Sequence, residues 1–185
     1  MKLLKNIWSQ LHLYLLWGMA SVLIWGLVFS FLTDAPPEKK VTLFIDVEEC
    51  RDQALREELE KALPEGIRMI QVHPFSYAMF NEQTLLDADL YIVPASSVEE
   101  YHESFLLLPG AEIAEGQEEG GILAHSAASG DGIAASYIGY DPAEDYYLFF
   151  GVNSLHASSL SGRGDDAAFA VADTLLQLGK EGEKP

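Results

Sequence analysis

Seven polar side chains that could contact a ligand follow three apolar segments of the chain. They are Glu48, Glu49, His73, Ser76, Tyr77, Ser96 and Ser97. If the three segments are parallel strands, the loops after them meet at one edge of a sheet, where such sheets bind ligands. Serine hydroxyls at a helix start could help free backbone N–H groups receive an anion, although Ser97 is expected to cap its own helix. The two glutamates precede a helix and favour a cation or no ligand.

The charge of the chain narrows the choice of partner. The 185 residues include 29 Asp and Glu but only 11 Lys and Arg, for a formal net charge of −18. Residues 69–162 contain no Lys or Arg at all. This disfavours nucleic acid, anionic lipid and phosphorylated solutes as partners of that part. A basic protein or a cationic solute fits the charge, while the simpler interpretation is that the acidic surface keeps an exported domain soluble.

No catalytic or metal-binding pattern is visible in the sequence. Four histidines of the acidic part are too far apart to form a recognisable metal motif: His73, His102, His125 and His156. There is no nucleophile elbow, phosphate-binding loop or dinucleotide fingerprint. Cys50 is the only cysteine and cannot form an intramolecular disulfide, so it is either a buried small apolar residue or an intermolecular partner. We therefore expect no metal, no cofactor and no enzymatic activity.

The first forty residues have the composition of a membrane anchor. Residues 6–33 carry no Asp, Glu, Lys or Arg, and residues 11–32 would form a helix about 33 Å long, enough for a bilayer core. Lys2 and Lys5 precede the apolar segment while Asp34 and Glu38 follow it, which places the amino terminus in the cytoplasm. A cleaved signal peptide is the alternative, but its apolar region is usually shorter.

These observations divide the chain into five parts. Residues 1–6 are the cytoplasmic amino terminus, 7–33 an uncleaved transmembrane signal anchor, 34–40 a linker, 41–180 an extracytoplasmic domain, and 181–185 a tail. The protein is thus expected in the cytoplasmic membrane as a single-pass protein with its domain outside.

Hydrophobic periodicity predicts that the domain alternates strands and helices. The predicted order is strand 41–46, helix 52–63, strand 68–72, helix 78–88, strand 90–93 and a helix from Ser97 to Phe105. A Glu57–Lys61 pair should support the first of these helices. A Gly- and Glu-rich loop at 109–132, strands 133–140 and 146–152, and a helix 165–178 ended by Gly179 and Lys180 should follow. This order predicts an α/β fold, a three-layer sheet with helices on both faces and strand order 2-1-3, in which the second strand is an edge.

Two segments carry a resemblance to a known family. The strand end Ala88-Asp89-Leu90-Tyr91-Ile92-Val93-Pro94 and the returning strand 146–154, with its Asn153-Ser154 end, resemble one lobe of the type 2 periplasmic (extracytoplasmic) solute-binding proteins of bacterial ABC transporters. The resemblance covers residues 41–108 and 133–178. A full member of that family has two lobes, whereas this chain holds only residues 109–132 where the second lobe would be inserted.

The resemblance and the anchor together imply a function. The leading hypothesis is a membrane-anchored, solute-binding-protein-like domain that acts without catalysis as an accessory or ligand-presenting component of a transport system. The alternative is a protein-interaction or assembly subunit of a membrane complex that does not bind a solute.

Overall fold

A computed structural model describes residues 2–33, 35–75, 88–106 and 120–181. The chain divides into two compact units, Met1–Pro36 and Pro37–Pro185.

The first unit is a single long helix, α1, which spans Lys2–Thr33. Its segment Leu11–Phe29 has a mean hydropathy of 1.8, and none of that segment is buried. A helix of this length and composition can cross a bilayer core, and a signal sequence has the same properties. The helix is therefore a possible membrane anchor.

The second unit contains eight strands and four α-helices among its described residues. The strands are β1 Lys40–Ile45, β2 Glu49–Cys50, β3 Met69–Pro74, β4 Leu90–Pro94, β5 Phe105–Leu106, β6 Ile122–His125, β7 Ile138–Gly139 and β8 Tyr146–Gly151. The helices are α2 Asp52–Glu60, α3 Val98–Tyr101, α4 Ser158–Ser161 and α5 Ala167–Glu181, the first and last of which pack on the sheet. Short 3-10 turns cover Pro37–Lys39, Ala95–Ser97 and His102–Ser104.

The main sheet has the strand order β3-β1-β4-β8-β5, and β6 also pairs with β8. Strands β3, β1 and β4 are parallel, whereas β8 runs antiparallel to β4. The predicted 2-1-3 order of the first three strands is confirmed, and β3 pairs only with β1 among the described residues. The observed fold is thus a mixed α/β fold, while the three-layer arrangement of a solute-binding lobe stays a prediction.

Apolar side chains of β1 and β4 form part of a hydrophobic core on each face of the sheet. On one face Leu43, Ile45 and Leu90 pack with α2 and α5, and on the other Phe44 and Tyr91 pack with α3 and β5. Because successive strand residues point to opposite faces, a strand buried on both faces must be apolar throughout. This is why the apolar sequence of β4, and that of β1 from Val41 to Ile45 with only Thr42 polar, predict central strands.

The region after residue 109 differs from its prediction. Strand β6 lies within the predicted loop 109–132, of which residues 109–119 are outside the described residues. The predicted strand 133–140 is wrong: only Ile138–Gly139 is extended, and it pairs with β2 in a separate two-stranded sheet. Ala134 has a φ of 49°, which belongs to a turn. Its neighbours are therefore buried by successive turns and not by a pleated strand.

The helices also differ in detail. The predicted helix from Ser97 to Phe105 is one helical turn between two 3-10 turns, and Phe105 begins β5. Helix α2 ends at Glu60, and Lys61 pairs with Glu58 at 2.7 Å, not with Glu57. Helix α5 begins at Ala167 and continues through Gly179 and Lys180. The predicted helix 78–88 lies outside the described residues, apart from Ala88 just before β4.

Candidate functional site

The carboxyl ends of β1 and β4 lie next to the amino-terminal end of β8. Pro94, the last residue of β4, is in register with Tyr146, the first residue of β8. Asp46 follows β1 directly, and its backbone N–H donates to the Ile92 carbonyl at 2.8 Å. We call the polar residues at this edge the carboxyl rim: Asp46, Ser96, Ser97, Glu100 and Glu144. They come from three parts of the chain that only the sheet brings together.

Hydrogen bonds hold the turns of the carboxyl rim in place. The Ser96 hydroxyl donates to Glu144 Oε2 at 2.8 Å, which ties the end of β4 to the turn before β8. Backbone bonds reinforce this connection, because Ala95 N–H donates to the Asp145 carbonyl at 2.8 Å. The Asp145 side chain in turn accepts from Ala127 N–H at 2.7 Å. The rim is therefore a fixed surface and not a set of independent loops.

The electrostatics of the carboxyl rim favour positive charge. Partial burial raises the pKa of Asp46, and the charges of Glu100 and Glu144 raise it further against the opposing Ser97 hydroxyl bond. Burial also raises the pKa of Tyr101 to about 12, together with the charges of Asp46 and Glu100. No rim carboxylate forms an ion pair within the described part of the chain. A cation at this edge would relieve the mutual repulsion.

The structure brings only some of the sequence-predicted site residues to this edge. Ser96 and Ser97 lie in the rim, but Ser97 makes no capping hydrogen bond to the following helix, so the expectation that it caps its own helix is wrong. Glu48 and Glu49 are exposed, and Glu49 pairs with Gly139 in the two-stranded sheet. They lie on the connection from β1 to α2, and neither is among the charges that act on Asp46.

The other predicted site residues follow or belong to β3. His73 is half-buried within β3, beside Phe44 of β1, so it is a strand residue and not a loop residue. Burial lowers the pKa of His73, with a contribution from the charge of Lys40. Ser76 and Tyr77 lie outside the described residues.

A buried polar network that the sequence analysis did not anticipate lies at the opposite end of β4. The Asp89 carboxylate accepts from Thr42 N–H at 2.8 Å and from the Ser154 hydroxyl at 2.6 Å. The Ser154 oxygen accepts from the backbone N–H of His156 at 3.0 Å. Burial raises the pKa of Asp89, although the hydrogen bonds from Ser154 and Thr42 act in the opposite direction. The network ties β1, β4 and the chain after β8 together.

The imidazole of His156 binds two acceptors. Its Nδ1 lies 2.7 Å from Asp165 Oδ1, and its Nε2 lies 3.0 Å from the Pro37 carbonyl oxygen. The side chain is only 1% exposed. Asp165 Oδ1 also accepts from Ala167 N–H at 3.0 Å, so the predicted role of Asp165 at a helix start is confirmed.

Ser154, His156 and an aspartate are the residue types of a hydrolase triad, but their geometry does not support nucleophilic catalysis. A catalytic serine must donate to an imidazole nitrogen, whereas the Ser154 hydroxyl donates to Asp89. Both ring nitrogens of His156 are occupied by Asp165 and Pro37. Ser154 is also buried, so a substrate cannot reach it. The network is structural.

The two segments that carry the family resemblance meet in this network. Asp89 comes from the first segment and Ser154 from the second, and they form a direct hydrogen bond. The backbone N–H of Gly151 donates to the Asp89 carbonyl at 2.9 Å. A side chain has no room at Gly151, because a Cβ atom would stand 2.0 Å from the Ala88 carbonyl oxygen. The residues of this network are therefore visible in the two segments, but the sequence alone does not show that Asp89 and Ser154 are in contact.

A second buried histidine packs among aromatic rings. His125 is 6% exposed and stacks on Tyr140 with ring centroids 4.8 Å apart. Neither ring nitrogen of His125 has a hydrogen-bond partner. Cys50 is a half-buried free thiol, and burial together with Asp52 raises its pKa to about 11. Within the described residues, no three His, Cys, Asp or Glu side chains are grouped so that they could hold a metal ion.

Comparisons with family models, curated proteins and solved structures found no match to this chain. Three features of the molecule bear on its function: the carboxyl rim, the long apolar helix and the distribution of charge.

Proposed function

We propose that this protein is a membrane-anchored, non-enzymatic domain that presents its carboxyl rim to a positively charged ligand, as an accessory or ligand-presenting component of a transport system. One observation carries the proposal. Half-buried Asp46 lies in the field of Glu100 and Glu144, and no described basic residue pairs with these carboxylates.

The physical reason is that like charges gathered in a partly dry place are unfavourable until a cation joins them. Burial weakens the hydration of Asp46, and each nearby carboxylate adds repulsion that raises its pKa. An organic ammonium group would offset these negative charges, and it does not need the close set of ligands that a metal ion requires, which the described residues do not form. The part of the chain that supplies the other four rim residues, 69–162, contains no Lys or Arg.

The proposed mode of action is presentation and not enclosure. The rim belongs to one α/β unit, and a ligand bound at a single edge keeps much of its surface exposed. Enclosure of most of a small molecule needs walls on several sides. Affinity at such an edge should be modest and sensitive to salt, since its main source is charge attraction in a partly solvated place.

The membrane part of the proposal comes from α1 and its flanks. The helix is long and apolar enough to cross a bilayer. Lys2 and Lys5 precede the apolar segment Leu11–Phe29 of this helix and favour a cytoplasmic amino terminus, so the domain would lie outside. The link to solute-binding proteins of ABC transporters is part of this proposal and is supported by the resemblance of two segments.

A thermal unfolding assay tests ligand binding at the rim. The full chain in detergent micelles is heated with Ca²⁺, Mg²⁺, spermidine or lysine, at constant ionic strength. A ligand at about 100 times its Kd stabilises the folded state by about 2.7 kcal/mol, which raises the Tm by several degrees. Glu100→Gln and Glu144→Gln should each weaken this shift at least threefold in ligand concentration. The second of these substitutions removes the charge but keeps an oxygen acceptor for the Ser96 hydroxyl.

The matched control is Glu99→Gln, which removes the same charge from the neighbouring residue of α3. Glu99 is exposed and is not among the groups that act on Asp46. It should leave the ligand-dependent Tm shift unchanged. If no cation stabilises the native chain, or if Glu99→Gln weakens the shift as much as Glu100→Gln, a specific cation site at the rim is ruled out.

A second candidate function is an assembly subunit without a solute site. The observation in its favour is that the large apolar side chains of Leu11–Phe29 are all exposed on α1, including Trp17 and Trp25. Such a surface fits lipid or another membrane helix. A flat cation screen, combined with membrane proteins that co-purify with the native chain but not with a chain carrying an unrelated span at residues 7–32, would favour this function.

A further inference from the structure

We propose that His156, Asp165 and Pro37 form a proton-operated latch that holds the first residues of the second unit against it while the imidazole is charged, and releases them when the imidazole loses a proton. We call these three residues the His156 latch.

The hydrogen-bond geometry requires a charged ring. Asp165 Oδ1 and the Pro37 carbonyl oxygen both accept hydrogen bonds and have no proton to donate at neutral pH. Both imidazole nitrogens must therefore donate, which only the imidazolium can do. The ring is almost completely buried, so water cannot replace either partner without a local opening.

The surrounding charges support the imidazolium. Burial lowers the pKa of His156, but the Asp165 and Pro37 hydrogen bonds and the charges of Asp89 and Asp165 outweigh burial and raise it. Asp89, the residue before β4, acts on the ring through its charge. In α5, Ala168 N–H donates to the His156 carbonyl. Glu38 and Lys39, the charged residues of the Pro37–Lys39 turn, are exposed.

The raised pKa fixes the direction of the pH effect. A group whose pKa is higher in the folded state than in the unfolded chain stabilises the fold fully below the unfolded value. For histidine this value is about 6.5. The contribution of His156 is lost as the pH rises through its higher folded-state pKa. The latch is therefore closed in acid and opens as the pH rises through the folded-state pKa of His156, which lies above the ordinary value.

The proton that leaves is the one on Nε2. Asp165 is negatively charged, so the remaining proton stays on Nδ1, where it continues to donate to Oδ1. The Nε2 lone pair then faces the Pro37 carbonyl oxygen, and two acceptors at 3.0 Å repel each other. Pro37 moves away while Asp165 keeps its bonds to the ring and to Ala167 N–H.

The released segment is short. The Lys39 carbonyl still accepts from Arg68 N–H at 2.8 Å, so the opening stops there. Pro37 and Glu38 then join the segment that connects the two units. Two more extended residues lengthen that connection by roughly 7 Å. Proton concentration would thus set the length of the connection between α1 and the α/β unit.

Pulsed hydrogen–deuterium exchange on the full chain in detergent micelles tests the latch. The i→i+3 bonds of the Pro37–Lys39 turn protect the amides of Lys39 and Lys40. After correction for intrinsic rates, the protection of these two amides should fall at least tenfold between pH 5.5 and pH 9, with a midpoint above 6.5. The amides of the rest of β1, such as Leu43, should keep their protection over the same range. This internal reference separates release of the latch from general unfolding.

Three variants decide between the latch and a purely structural role. Asp165→Asn keeps an acceptor oxygen but removes the charge, so the midpoint should move about one pH unit lower. His156→Gln should leave the two amides unprotected at every pH. His102→Gln is the matched control, because exposed His102 binds only one carbonyl, that of Glu99 at 2.7 Å, and the native profile should be retained.

A protection profile of the native chain that does not change with pH would overturn the latch. So would a midpoint in Asp165→Asn equal to that of the native chain. If His156→Gln does not fold, the midpoint shift in Asp165→Asn decides the question, since the ring itself is unchanged in that variant.

Discussion

Individual buried polar residues contribute more to the stability of this domain than its surface acids do. Asp89 satisfies a backbone N–H of β1 and the hydroxyl of Ser154, and Ser154 satisfies the backbone of His156. Removal of one member leaves buried partners without hydrogen bonds, and each such orphan costs about 1–3 kcal/mol. The many exposed carboxylates have water as an alternative partner, so their individual contributions to stability should be small.

This comparison gives a direct prediction for Asp89. Asp89→Ala should lower the free energy of unfolding by about 3 kcal/mol or more, because Thr42 N–H and Ser154 Oγ lose their acceptor in a dry place. Asp141→Ala is the control, since exposed Asp141 accepts one backbone N–H, from Ala143 at 2.9 Å. It should cost about 1 kcal/mol or less. Urea titration of the full chain in detergent, followed by near-UV circular dichroism, measures both; equal losses would contradict the structural role of Asp89.

Among the elements, α5 shows how well a helical pattern predicts a buried face. Ala168, Val171, Ala172 and Leu175 recur at helical spacing, which predicts a common inner face, and all four are buried. Leu178, the last residue of the pattern, is half-buried. The apolar spacing of this helix therefore predicts where it docks on the sheet.

Leu175→Ala tests that docking. The side chain is fully buried, so its truncation should lower the free energy of unfolding by about 2–5 kcal/mol through lost burial and a residual cavity. Asp173→Ala, on the exposed side of the same helix, should change it by no more than about 0.5 kcal/mol. The shift of the urea midpoint in the full chain measures both effects. A loss below about 1 kcal/mol for Leu175→Ala would mean that α5 does not pack as described.

The elements that sequence predicts well are those with a clear apolar pattern, either a nearly continuous apolar segment or a regular apolar period. Strands β1, β3, β4 and β8 are in this class, and so are α2 and α5. Residues 133–140 are apolar too, but turns bury them, and Ala134 takes a left-handed backbone that composition does not reveal. The two-residue strands β2 and β7 are too short for any period, and they exist only because they pair with each other.

The candidate site was predicted less completely than the fold. Ser96 and Ser97 were found because they follow a strand that is clearly apolar. Asp46, Glu100 and Glu144 do not form a recognisable group in the sequence, since they lie far apart along the chain and only the pairing of β4 with β1 and with β8 brings them near. A sequence pattern reports neighbours along the chain, whereas this cluster depends on strand order.

For the molecule as a whole, the decisive question is on which side of a membrane the acidic unit lies. The expected result is that the protein stays with the membrane fraction through a high-salt wash and leaves it only with detergent. A reporter enzyme that works only outside the cytoplasm should be active when fused after Pro185, because Lys2 and Lys5 favour a cytoplasmic amino terminus. Activity of a cytoplasmic reporter at the same position, or recovery of the protein without detergent, would contradict the single-pass orientation.

Strand β8 pairs with both β5 and β6, and this arrangement determines where the domain can accept an insertion. Strand β5 pairs with it at Phe150 and Gly151, while β6 pairs with it at Tyr146 through Leu148. The chain that leaves after Leu106 and returns at Ile122 therefore has both ends fastened to the same strand. Extra polypeptide inserted between them need not disturb the pairing of β5 or β6 with β8, and each doubling of such a loop costs only about 0.6 kcal/mol. A second domain could therefore be inserted or deleted between β5 and β6 in a single step.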